Sequence, residues 1–108
     1  MFGSRKHSLD PSAALFEMRE GRLVLYDVRE GGERAADFVP GSRHMPLGQV
    51  KARLGELPRD MPVAFICQTG RRSALATATA RRAGYDARNV RGGMSAWNQD
   101  VDHGGGST

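Results

Sequence analysis

Short apolar runs recur along this chain, each closing on a polar residue and each separated from the next by a stretch of helical or turn character. Leu23-Val-Leu-Tyr26 ends at Asp27, and Val63-Ala-Phe-Ile66 ends at Cys67. Unbroken apolar runs of this length predict strands buried on both faces. Ser42-Arg-His-Met45, before Pro46, and Asp86-Ala-Arg-Asn-Val90 predict two more strands. Asp10-Pro11 predicts a helix start, because Asp can cap free N–H groups and Pro is preset for the first turn; Gly21 ends that helix. Gly31 to Phe38 permits one short helix before the turn signal Val39-Pro-Gly41. Leu47, Val50, Leu54 and Leu57 recur at near-helical spacing before Pro58. Arg72 to Ala83 predicts a helix whose Ala76, Ala80 and Ala83 share one narrow face that lies close to a sheet, with Gly84 as its stop. Gly92 to Trp97 predicts a last helical turn or two.

Strands alternating with helices imply an α/β domain with a mostly parallel sheet covered on both faces. Ligands of such folds bind beyond the carboxyl ends of the strands. Two of those ends carry reactive or charged groups here: Cys67, and Asp27-Val-Arg29.

Length and composition narrow the field. The 108 residues make one domain. The apolar runs are far shorter than the roughly 20 residues of a membrane-spanning helix, so no membrane partner is expected. The basic start of the chain lacks an apolar stretch behind it, which predicts a cytoplasmic protein. A single cysteine leaves no intrachain disulfide, C-x-x-C redox pair or multi-cysteine zinc site. The net charge of +4 would suit nucleic acid, but the arginines are dispersed and only 6% of residues are aromatic. Small anionic substrates account for the same charge, and no nucleic-acid partner is expected. Residues 1–8 and the Gly-rich tail 101–108 are expected to be flexible around a domain spanning 9–100, and a monomer is the simplest assembly.

The stretch Cys67-Gln-Thr-Gly-Arg-Arg-Ser-Ala74 runs from a strand into a helix. Such a loop aims backbone N–H groups at its own centre, and the helix N-terminus adds partial positive charge. A thiol in that cup has a depressed pKa. Gly70 fits a turn with positive φ, and Arg71 and Arg72 add charge at the mouth. A purely structural cysteine has no use for this cup. In a cysteine-dependent phosphatase the spacing is C-x5-R; here Ser73 stands where that arginine would be and Arg72 comes one residue early. The shorter loop suits a sulfur atom better than a phosphate.

The segments VLYDVRE (24–30), VPGSRHMPL (39–47), CQTGRRS (67–73) and RRAGYDARNVRGGMSAW (81–97) resemble, in order and spacing, the rhodanese family of sulfurtransferases. The resemblance implies a three-layer α/β/α domain with a five-stranded, mostly parallel sheet. It implies Cys67 as sulfur-carrying nucleophile, Gln68, Thr69, Gly70, Arg71 and Arg72 as an N–H cradle closed by Ser73, and Asp27 and Arg29 as a polar pair bracing nearby loops. Gly92, Gly93 and Trp97 match positions that shape the last strand-to-helix turn. Phe38 replaces a common histidine and Arg34 a common aromatic, changes expected to alter local packing only. His44 is expected near the site without an acid-base role, and Met45 and Met94 as core.

The expected reaction takes sulfane sulfur from thiosulfate or a similar donor onto Cys67 and hands it to cyanide or a thiol, with no metal or organic cofactor. The alternatives are a persulfide carrier or interaction module loaded by a sulfur-donating partner protein, an idle interaction domain, and a phosphatase or arsenate reductase. The intact cysteine loop speaks against the idle domain, and the loop length against the last two.

Overall fold

A computed structural model describes residues 7–102. The parts of the expected flexible ends at residues 1–6 and 103–108 lie outside them. Five strands form one all-parallel sheet in the order β1-β5-β4-β2-β3. They are β1 (Ser8–Leu9), β2 (Val24–Asp27), β3 (Arg43–His44), β4 (Val63–Ile66) and β5 (Ala87–Val90). The helices are α1 (Pro11–Arg19), α2 (Gly31–Ala36), α3 (Leu47–Val50), α4 (Arg71–Arg82) and α5 (Gly93–Trp97). A 3-10 turn at Leu54–Glu56 follows α3, and a π-helical turn at Asn98–Asp102 follows α5. The predicted helix from Leu47 to Leu57 is thus two short pieces. Strand β1 begins at Ser8, inside the segment expected to be flexible, and Val101 packs on the core.

The alternation of β4 divides the core. Val63, Phe65 and Cys67 belong to one cluster with Tyr26, Met45, Val50, Ala76 and Ala80; Ala64 and Ile66 belong to the other with Ala14, Leu25, Val90, Met94 and Trp97. Side chains two apart on a strand share a face. The thiol of Cys67 is therefore directed to the α4 side before any loop geometry is considered. Ala76 and Ala80 are fully buried there and Ala83 packs on the same cluster, as the narrow alanine face predicts. Small residues let α4 approach closely and bring its N-terminus over the end of β4.

The predicted helix punctuation holds with one change. Gly84 (φ +95°) follows α4, where the N–H groups of Gly84 and Tyr85 close on Arg81 O and Ala80 O; Gly21 and Arg22 close α1 on Met18 O and Glu17 O in the same way. Pro11 opens α1, but Asp10 makes no side-chain cap. Its carboxylate is drawn instead to Arg91 at the end of β5, pinning the start of α1 to the sheet. Among the described residues no helix is long and apolar enough to cross a membrane.

Candidate active site

Strands β2 and β4 are neighbours with Asp27 in register with Ile66, so their carboxyl ends open side by side. Cys67 follows β4 directly and is 1% exposed. The chain then turns into α4 through Gly70, whose φ of +103° is left-handed backbone that an L side chain adopts only under strain. This turn folds the loop back over the sulfur. The Gly70 N–H donates to Sγ at 3.1 Å, the Ser73 N–H donates at 3.3 Å, and the Ser73 hydroxyl lies 3.2 Å away.

Burial pushes the thiol up. The Ser73 hydroxyl, whenever it donates to the sulfur, and the N–H groups of Ser73, Gly70 and Thr69 pull it down and prevail, leaving Cys67 below its ordinary value. The first N–H groups of α4, those of Arg71 and Arg72, have no carbonyl partner inside the helix. A thiol so placed is buried, and hydrogen-bond donors of its own loop stabilise its anion.

The loop is also held from behind. Gly93 (φ +60°) lies so close to it that a Cβ there would stand 2.4 Å from Cys67 O and 2.6 Å from the Gln68 carbonyl carbon. This approach lets the Met94 N–H donate to Cys67 O at 2.8 Å and the Ser95 N–H to Gln68 O at 3.1 Å. The Gly92-Gly93 pair and the cysteine loop are one structural unit, although 26 positions separate Cys67 from Gly93.

Asp27 and Arg29 form a buried ion pair at the end of β2. Asp27 accepts from the Arg29 N–H (2.9 Å), Nε (3.1 Å) and Nη2 (2.9 Å), and both residues are buried. Arg29 also donates to Asp37 O at 2.6 Å and reaches Gln68 Oε1 at 3.4 Å. The other end of the Gln68 amide donates to Ser95 Oγ at 3.3 Å. His44 Nε2 meets Arg29 O at 2.7 Å.

The residues at the two departures from the usual pattern meet each other. The Arg34 guanidinium lies 4.8 Å from the centroid of the Phe38 ring, donates to Ser42 Oγ and Ser42 O, and reaches Asp27 Oδ2 at 3.4 Å. Met45 and Met94 are core, and Trp97 is buried with Met94.

Arg72 does not stand free. Its guanidinium grips Glu33 of α2 through two bonds of 2.8 Å, and that partner, helped by the Glu30 N–H, holds the Glu33 carboxyl near a pKa of about 2. Arg71 is exposed and has no ion pair among the described residues. It borders an open cleft of about 420 Å³ beside the loop, with Thr69, Asn89 and Arg91. Ser73, at the place of a phosphatase arginine, instead packs its hydroxyl on the sulfur. Among the described residues no group of three His, Cys, Asp or Glu side chains is placed to hold a metal ion.

The sequence reading missed Glu33 and Asn89. Glu33 lies three residues after Glu30 at the start of a helix, the spacing of a capping box, and accepts from the Glu30 N–H at 3.0 Å. Asn89 is a polar residue at a buried position of β5, two residues beyond Ala87 on the same face. That parity was the available signal.

Known proteins resemble this chain in sequence and fold. The family model described as Rhodanese-like domain matches residues 10–100. A sulfurtransferase of Allochromatium vinosum is 34% identical over 76 residues, 69% of this chain and 71% of that protein. The human thiosulfate:glutathione sulfurtransferase is 34% identical over 106 residues, 81% of this chain and 92% of its own. The crystal structure of a rhodanese-related protein from Thermoplasma volcanium superposes with a TM-score of 0.81 at 25% identity, covering 88% of this chain and 93% of that one.

Proposed function

The chain belongs to the rhodanese-like domain family, and from that premise we propose that it is a sulfurtransferase working through a persulfide on Cys67. The observation that carries the proposal is the convergence of the Gly70 and Ser73 N–H groups on a buried Sγ.

In the first half-reaction the Cys67 thiolate attacks the outer sulfur of thiosulfate. The S–S bond of the donor breaks, its electron pair leaves with sulfite, and the enzyme carries Cys67–S–S⁻. The negative charge now lies on the terminal sulfur, one atom farther out. The Arg71 and Arg72 N–H groups at the start of α4 are oriented to receive it, as an oxyanion hole receives oxygen. In the second half-reaction an acceptor thiolate or cyanide attacks that sulfur, takes it, and returns the Cys67 thiolate. No proton or electron is gained or lost over the cycle. The name of the human relative, thiosulfate:glutathione sulfurtransferase, supports thiosulfate as donor and a small thiol as acceptor.

Arg71 supplies the exposed cationic charge that draws an anionic donor, while Arg72 shares its charge with Glu33. The test is steady-state kinetics with thiosulfate and cyanide varied together. A persulfide shuttle gives parallel double-reciprocal lines; intersecting lines would reject it in favour of direct transfer between two bound substrates. Rapid loading by a sulfur-donating protein in the absence of thiosulfate turnover would replace thiosulfate with a partner protein as donor.

A further inference from the structure

Asn89 is a buried polar side chain beside the nucleophile that has no part in the mechanism above. It is 8% exposed and lies on the α4 face of β5. Its Nδ2 stands 3.2 Å from Gly70 O, and its Oδ1 stands 2.6 Å from Ser73 Oγ. The orientation of the amide is forced, since a carbonyl oxygen only accepts and the Asn89 atom facing Gly70 O must therefore be the donor nitrogen. Oδ1 then faces Ser73, and it too only accepts. The single proton of the Ser73 hydroxyl consequently points at Asn89, and a lone pair of Ser73 Oγ faces the sulfur 3.2 Å away.

We propose that Asn89 is a positioning residue for sulfur transfer: by taking the Ser73 proton it decides which way the bond between Ser73 and Cys67 runs, and so how readily Cys67 gives up its own proton. With a neutral thiol the chain is complete, S–H to Ser73 Oγ and Ser73 O–H to Asn89 Oδ1. When the thiol proton leaves to solvent water, the arrangement must change. Either the Ser73 lone pair faces a thiolate, or the hydroxyl turns to the sulfur and leaves a buried Asn89 Oδ1 without a donor. Both are costly, so Asn89 favours the resting thiol against the N–H groups of the cradle. The hydroxyl pulls the thiol down only after it has turned away from Asn89.

The other charges around the sulfur come from different elements. They are Arg71 and the Arg72–Glu33 pair between α4 and α2, Arg29 with Asp27 acting through Gln68, and Arg91 paired with Asp10. Substitution of Asn89 leaves all of them in place. The proposal rests on Cys67 as the sulfur nucleophile, but its test does not need turnover.

The experiment follows the ultraviolet absorbance of the Cys67 thiolate against pH in the wild type, Asn89→Ala, the volume-conserving Asn89→Leu, Asn89→Asp, Ser73→Ala, and Ser73→Ala combined with Asn89→Ala. Freed from Asn89, the Ser73 hydroxyl serves the thiolate, and the midpoint in Asn89→Ala and Asn89→Leu falls by on the order of one pH unit. Asn89→Asp keeps the acceptor and adds negative charge, and its midpoint rises. In the Ser73→Ala background, Asn89→Ala shifts nothing further. A merely structural Asn89 predicts the opposite sign for Ala and Leu, because a loosened cradle loses N–H donors and raises the midpoint. A rise, no change, or an equal shift without the Ser73 hydroxyl overturns the proposal. Exposing the same proteins to thiosulfate separates the two claims: a wild type that takes up no sulfur refutes the donor reading while the titration still decides the role of Asn89.

Discussion

Replacing Gly93 with Ala tests whether the last helix holds the cysteine loop in place. The added Cβ would stand 2.4 Å from Cys67 O, 2.6 Å from the Gln68 carbonyl carbon and 2.7 Å from Gln68 O. All three are backbone atoms of the loop, so no rotamer change relieves the clash. The φ of +60° adds roughly 1–2 kcal/mol for any residue with a Cβ. Moving the helix away weakens the Met94 to Cys67 and Ser95 to Gln68 bonds, at about 1 kcal/mol each. Together these terms predict a loss of about 3–4 kcal/mol. For a domain of this size that lowers Tm by about 15–25 °C. Gly48 is the control: it lies in α3 at ordinary φ, with nothing within 4 Å of an added Cβ. Gly48→Ala should leave Tm unchanged or raise it slightly, through a gain of up to about 1 kcal/mol in helix propensity. Thermal unfolding by circular dichroism reads both, with alkylation of Cys67 reporting on the loop. A Gly93→Ala protein within about 3 °C of wild type with unchanged thiol reactivity would refute the coupling of loop and helix.

Three further outcomes follow from the charges around the loop. Glu33→Gln frees Arg72 and should lower KM for thiosulfate roughly threefold, whereas Arg72→Ala should raise KM more than it lowers kcat; equal KM values in initial-rate assays would show that neither charge meets the donor. Because the Glu33 carboxyl is held near a pKa of about 2, its contribution to stability is complete above the unfolded carboxylate value and fades as pH falls through about 2. The Tm difference between wild type and Glu33→Gln should therefore shrink on acidification from pH 5 to pH 2, and a difference that grows would contradict the pairing. Asp27→Ala strands the buried Arg29 and should cost about 3–5 kcal/mol in urea unfolding, while Asp27→Ala with Arg29→Met should recover much of it; no recovery would mean that the pair does not act as a unit.

Strands β2 and β4 were legible because each is a short apolar run closing on a residue of different character, Asp27 and Cys67. Cys67 could be placed at a strand end from the apolar run before it and the glycine turn after it. Strand β1 was not legible: Ser8 and Leu9 carry no periodicity, and their pairing with Asn89 and Val90 is a tertiary event. The Asp10 cap failed for a similar reason, since a distant arginine competes for the carboxylate that local sequence assigns to the helix. Arg72 illustrates the same limit within the site. Its position at the helix start led to the expectation of added charge at the mouth, but Glu33, 39 positions earlier in the chain, shares that charge through two hydrogen bonds. Arg34 and Phe38 looked like separate departures from the family pattern, and only the fold shows them stacked on each other. What a sequence conveys well is which residue ends a strand; what it conveals is which distant side chain competes for that residue's hydrogen bonds.

The claim that Cys67 carries sulfur is tested most directly by intact mass spectrometry of the reduced protein before and after brief exposure to thiosulfate, beside Cys67→Ser. A gain of one sulfur atom is expected in the wild type and none in the variant, with removal of that atom by cyanide and release of thiocyanate. A folded wild type with a reactive thiol and no added mass, or the same gain in Cys67→Ser, would contradict it.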